Sequence, residues 1–168
     1  FKSAFEKNEI KISQILLTLD DTEQRRRSIN ARRTIDTLLK LGIVPVVNEN
    51  DTIATSEIRY GDNDRLASRV AQITSADCLI LLSNINGLYS ADPSTDEDVK
   101  LINKVSEIDK DIEKMIGQSI SDYGKGGMKT KIQAAKTAML SGCHLAITNG
   151  SIMRPVKSLF EGRPCTWF

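Results

Sequence analysis

Short apolar runs alternate along this chain with longer segments whose apolar residues recur at helical spacing. "ISQILLTL" (Ile12 to Leu19) has the length and β-branched content of a strand. The pattern then predicts a helix from about Thr22 to Lys40, capped by Asp20 or Asp21 and ended by Gly42. "IVPVVNEN" is a second predicted strand, and a polar segment follows it to Asp62. A helix is expected from about Asp64 to Ser75, then the apolar strand "DCLILLS" (Asp77 to Ser83). "NINGLYSADPSTDEDVK" is a turn-rich, acidic connection leading to a weaker strand or extended piece, "KLINKVS". "DKDIEKMIG" predicts a short helix. The stretch "SDYGKGGMKTKIQAAKTAML" (Ser121 to Leu140) opens as a glycine and lysine loop and becomes an amphipathic helix. The strand "HLAITNG" (His144 to Gly150), a short helix around Val156 to Glu161 and a terminal strand "CTWF" complete the order.

Strands alternating with helices predict an α/β domain with a largely parallel sheet flanked by helices. In such sheets ligands bind beyond the carboxyl ends of the strands. The polar clusters here follow strands: "NEND" after "IVPVV", "SN" after "CLILL", "TNG" after "HLAI". The candidate site is therefore expected on one edge of the sheet.

The 168 residues suit one domain, and a hydrophobic share of 40% supplies an ordinary globular core. A net charge of +1 gives no global electrostatic case for nucleic acid or an acidic membrane. The densest basic run, "EQRRRSINARR", is mixed with acids and reads as a solvated helix face or subunit contact rather than a polyanion site. Cys78, Cys143 and Cys165 lack CxxC spacing and read as buried thiols of a reducing compartment. No apolar run approaches the ~20 residues of a membrane span, and no signal peptide is seen. The expected location is the cytoplasm.

Lys125, Lys129 and Lys131 stand around a predicted helix start, where the backbone dipole disfavours cations. A multiply charged anion at that end would remove the mismatch. The loop is neither a Walker A motif nor GxGxxG, since both need glycine at position 129. Gly126 and Gly127 would still let backbone N–H groups form an anion nest, with Lys131 reaching the same anion. A glycine-rich surface turn with solvated lysines is the alternative. A second cluster, "NENDTIATSEIRYGDNDRLASRV", places Asn48 to Asp51 after a strand and Asp62 to Asp64 at a helix start. Capping and turn formation explain those residue types as well as ligand binding does. On the functional side, Asp51 and Asp62 would meet a cationic group, while Asp64 orients the loop lysines.

His144 is the single histidine and begins a predicted buried strand, so no Ser/His/Asp set exists. A thiol nucleophile has no histidine partner. The inventory fits a nucleophile that needs no base, such as a substrate carboxylate with a reference pKa of about 4.3. Positioning and charge stabilisation are then what remains, as in phosphoryl transfer.

"IVPVVNENDTIAT", "GDNDRLASRVA", "LLSNINGLYSADP" and "GKGGMKTKIQAAKTA" resemble, in order and spacing, the glutamate 5-kinases of the amino acid kinase family. The resemblance covers essentially the whole chain. It implies a three-layer α/β/α sandwich with a mostly parallel central sheet. It also implies transfer of the ATP γ-phosphate to the side-chain carboxylate of L-glutamate, with Mg²⁺, as the first step of proline synthesis. Glutamate contacts would fall on Asp51 and Asn63, with Glu49 and Asp62 as helpers. Asp64 resembles the family's organising aspartate. Ser83 and Asn84 match a nucleotide-contacting pair that is often Thr-Asp, so Asn84 keeps the hydrogen bonding without the charge. Lys125, Gly126, Gly127, Met128, Lys129, Thr130 and Lys131 resemble the ATP-phosphate loop, Lys131 being the transition-state lysine. Feedback by proline near Thr52 to Tyr60 and a homo-oligomer are further implications.

Relatives begin with a strand and glycine-rich turn that carry a second catalytic lysine and a glutamate-contacting serine. "FKSAFEKNEIKIS" reads instead as the middle of the domain. Residues 1–168 are thus expected to be one partial kinase domain, inactive alone and without an appended PUA domain. The alternatives are another acceptor (aspartate, acetylglutamate or a nucleoside monophosphate) and a sensor that binds without turnover.

Overall fold

The computed structural model describes residues 2–52, 63–91, 93, 99–113 and 127–168. They form two compact units, Phe1–Thr74 and Ser75–Phe168.

The first unit runs α1 (Lys2–Glu6), β1 (Ile12–Leu17), α2 (Leu19–Glu23), α3 (Arg25–Lys40), β2 (Val44–Glu49) and α4 (Asn63–Thr74). β1 and β2 pair in parallel, from Ile12 with Val44 to Leu17 with Glu49. A parallel pair needs a crossover, which α2 and α3 supply. The helix predicted from Thr22 begins earlier, at Leu19, and breaks at Gln24, whose φ of −75° and ψ of 118° are extended. Its N-cap is Thr18, not Asp20 or Asp21. The Thr18 backbone N–H and hydroxyl both donate to Asp21 Oδ2, at 2.8 and 2.7 Å. The carboxylate thus reaches back from the third helical position, as in a capping box, instead of occupying the cap. Gly42 does end α3: its φ of 70° lets the Ile43 N–H return to the Leu38 carbonyl at 2.9 Å. The core joins Leu17 and Leu66, with Ile15, Leu19, Ala31, Val47 and Val70 packed around them.

The second unit contains β3 (Cys78–Ser83), α5 (Gly127–Leu140), β4 (His144–Asn149), α6 (Pro155–Phe160) and β5 (Cys165–Trp167). β4 is central, parallel to β3 and antiparallel to β5. Leu145, Ala146 and Ile147 are 0% exposed, the deepest strand of the chain's described core. α5 lays Ile132, Ala134, Ala135 and Ala138 inward and packs on β4. The small alanines permit that close approach. α6 starts at Pro155, which suits the first helical position.

"KLINKVS" is not a strand. It makes two isolated bridges, Tyr89 with Leu101 and Lys104 with Trp167. The segment changes partner midway: the Ile102 N–H donates to the Leu88 carbonyl at 2.8 Å, and the Val105 N–H to the Trp167 carbonyl at 2.8 Å. Of "DKDIEKMIG", residues 110–113 are helical, with Asp109 Oδ1 accepting from the Asp111 and Ile112 N–H groups at 3.0 and 2.9 Å. The rest of that stretch lies outside the described residues.

Candidate active site

In the first unit, β2 closes on Glu49, and the Asn50 N–H extends the ladder to the Leu17 carbonyl at 2.9 Å. Asp51 follows in an exposed turn. Asn63 and Asp64 open α4, and Leu66, just behind them, is buried against Leu17 at the end of β1. The start of α4 therefore lies at the carboxyl edge shared by β1 and β2. Glu49, Asp51, Asn63 and Asp64 share that edge, Asn63 exposed and Asp64 half-buried. Asp62 and residues 53–60 lie outside the described residues.

In the second unit, Ser83 ends β3 in register with Asn149 at the end of β4. The Gly150 N–H donates to the Ser83 carbonyl at 2.7 Å. Ser83 Oγ donates to Asn84 Oδ1 at 3.3 Å, and Asn84 is exposed. α5 leads into β4 through a three-residue turn and packs on it, so it must run against the strand direction. Its first turn consequently returns to the carboxyl edge of β3 and β4. Gly127, Met128, Lys129, Thr130 and Lys131 are thus placed on the same edge as Ser83 and Asn84. Lys125 and Gly126 lie outside the described residues.

A Cβ on Gly127 would meet nothing within 4 Å, so close packing does not require glycine there. Lys129 is exposed and Lys131 half-buried. The first turn of α5 has no acidic residue. Lys136, further along, is accounted for by an ion pair with Glu113. Asn149 and Gly150 are edge residues that the sequence marks only through "TNG". A Cβ on Gly150 would lie 2.8 Å from Leu82 Cβ, which explains glycine at this close approach.

The match to the amino acid kinase family model spans residues 1–149. The chain belongs to the amino acid kinase family. It is 63% identical over 168 residues to the glutamate 5-kinase of Pelagibacter ubique (strain HTCC1062), covering 100% of this chain and 46% of that protein. With the glutamate 5-kinase of Paramagnetospirillum magneticum (strain ATCC 700264 / AMB-1) it shares 55% identity over 168 residues, covering 100% and 45%. The chain thus spans under half the length of these curated relatives. Among solved structures, the UMP kinase from Ureaplasma parvum superposes with a TM-score of 0.67 at 12% identity, over 99% of this chain and 63% of that one. An isopentenyl phosphate kinase gives 0.64 at 16% identity, over 98% and 63%. Those structural likenesses establish the amino acid kinase-like α/β fold.

This amino acid kinase chain offers no activated thiol among its cysteines. Cys143 is buried, Cys165 half-buried and Cys78, contrary to expectation, exposed at the first position of β3; all three are free. Burial pushes each thiol above its ordinary range. A nucleophilic cysteine needs the opposite shift. His144 starts β4 with an exposed side chain. Among the described residues no three His, Cys, Asp or Glu side chains converge on a metal position. No described helix is long and apolar enough to cross a membrane.

Proposed function

We propose that the protein phosphorylates the γ-carboxylate of L-glutamate with ATP, giving γ-glutamyl phosphate in the first step of proline synthesis. The observation that carries this is the 63% identity to a glutamate 5-kinase over all 168 residues. The described parts of the motifs behind it stand at strand carboxyl ends, where parallel α/β sheets bind ligands.

The acceptor carboxylate is ionised at neutral pH and attacks without a protein base. Asp51 and Asn63 bind glutamate, with Glu49 assisting; Asp51 and Asp62 pair with its α-ammonium. Ser83 and Asn84 contact the nucleotide. Backbone N–H groups of the loop Lys125 to Thr130 take the phosphates, with Lys125 and Lys129 adding charge. Lys131 stabilises charge on the transferred phosphoryl group, and Asp64 positions the lysines. Magnesium, when bound with ATP, supplies charge neutralisation on the phosphates. On the same proposal proline is the feedback inhibitor, the enzyme is a homo-oligomer and the cytoplasm is its location.

The test is a hydroxylamine trap on the full-length protein with ATP and Mg²⁺, comparing L-glutamate, L-aspartate, N-acetylglutamate and UMP. Hydroxamate from glutamate alone, with matching ADP release, is expected. ADP release with another acceptor overturns the substrate, and none with any acceptor overturns catalysis.

A further inference from the structure

Asn84 is held between two anchors. Before it, the Ser83 carbonyl accepts the Gly150 N–H at 2.7 Å. After it, the Leu88 N–H donates to Thr166 Oγ1 at 2.7 Å. Thr166 is 0% exposed, on the edge strand β5, and its hydroxyl donates onward to the Ile102 carbonyl at 2.7 Å. The Ile102 N–H returns to the Leu88 carbonyl at 2.8 Å. Three hydrogen bonds thus form a closed ring through one buried hydroxyl. A Cβ on Gly87 would lie 2.3 Å from Thr166 Oγ1 and 2.8 Å from its backbone nitrogen. Only glycine lets the loop come close enough to make this ring.

We infer that Thr166 is a positioning residue for the nucleotide site. Its hydroxyl fixes where the chain leaves the β3 edge, and so where Asn84 stands. The inference rests on the proposed nucleotide role of Ser83 and Asn84. Valine matches threonine in shape but leaves the Leu88 N–H and Ile102 carbonyl without this partner in a dry site, which the loop relieves by moving. Serine keeps both hydrogen bonds.

The experiment measures ATP KM, glutamate KM and kcat for Thr166→Val, Thr166→Ser and Asn84→Ala in the full-length protein. Thr166→Val, which breaks two of the three hydrogen bonds of the ring, is expected to raise ATP KM about fivefold or more, with glutamate KM unchanged. Thr166→Ser is expected to restore the wild-type value. Equal rises in both KM values, or lost thermal stability with ATP KM unmoved, reduce Thr166 to a structural residue and overturn the inference. Should the valine protein not fold, a raised ATP KM in the folded serine protein also overturns it. Asn84→Ala separates the two levels. If it leaves ATP KM unmoved, the nucleotide assignment itself fails; if it raises ATP KM and Thr166→Val does not, only the role of Thr166 fails.

Discussion

Ile147 offers the most direct test of where the core lies. It is 0% exposed on β4, with Leu81 of β3 and Thr166 of β5 as Cα partners on either side. Ile147→Val removes one methylene and should cost about 1 kcal/mol. Ile147→Ala removes three carbons, about 2.5 kcal/mol of transfer free energy, and the residual cavity brings the cost to about 3 to 4 kcal/mol. Trp167 is the one tryptophan of this chain and lies in β5 in register with Ala146, so its emission reports on the second unit. In a urea titration with a slope of about 2 kcal/mol/M, the alanine protein should lose about 1.5 to 2 M in midpoint. Val156→Ala, at an exposed position of α6, is the control, expected within about 0.5 kcal/mol of wild type. An alanine variant within about 1 kcal/mol of wild type, or no graded order from valine to alanine, would refute β4 as the core strand.

Lys131→Ala in the full-length protein should lower kcat by about 100-fold or more while moving glutamate KM little, since it acts on transition-state charge; an unchanged kcat removes Lys131 from that role. Asp51→Ala should raise glutamate KM more than ATP KM, and the reverse pattern misplaces the acceptor pocket. The Cys143 thiol, pushed up by burial and then by Cys78 and Asp77, holds its proton more tightly when folded. The stability it contributes is complete below the ordinary value of 9.0 and is lost as pH rises through the folded value, so the Tm gap between wild type and Cys143→Ala should narrow with alkaline pH. A gap that widens there would reverse the sign.

The strands themselves were legible because apolar runs such as "CLILL" and "HLAI" give way within two residues to Ser83 or Asn149, which marks the carboxyl edge as well as the strand. The break at Gln24 was not, because glutamine is a good helix former and neither glycine nor proline flags it. Asp21 misled for a related reason: a carboxylate beside a helix start serves equally as cap or as third-position partner, and only Thr18 geometry distinguishes them. Residues 101–105 left a weak strand and an extended piece open, and their hydrogen bonds, divided between Leu88 and Trp167, make them the extended piece. Thr166 was invisible, since a threonine in a terminal strand carries no local sign that its hydroxyl closes a ring with residues 64 and 78 positions away.

In α3 the arginines of the first turn face an unfavourable dipole, but the chain answers it: Arg27 lies 3.9 Å from Asp20 and 3.6 Å from Asp21. α5 has no acidic residue in its first turn, and Lys129 there is exposed. A cation at that position opposes the helix dipole by roughly 0.3 to 1 kcal/mol. An anion bound at that helix start would offset the cost. Lys129→Gln should therefore stabilise the ligand-free protein by about 0.3 to 1 kcal/mol and weaken ATP binding at the same time. Thermal unfolding without and with ATP checks both halves. A variant that is less stable without nucleotide, or equally stabilised by it, would show that Lys129 serves the fold rather than the phosphates.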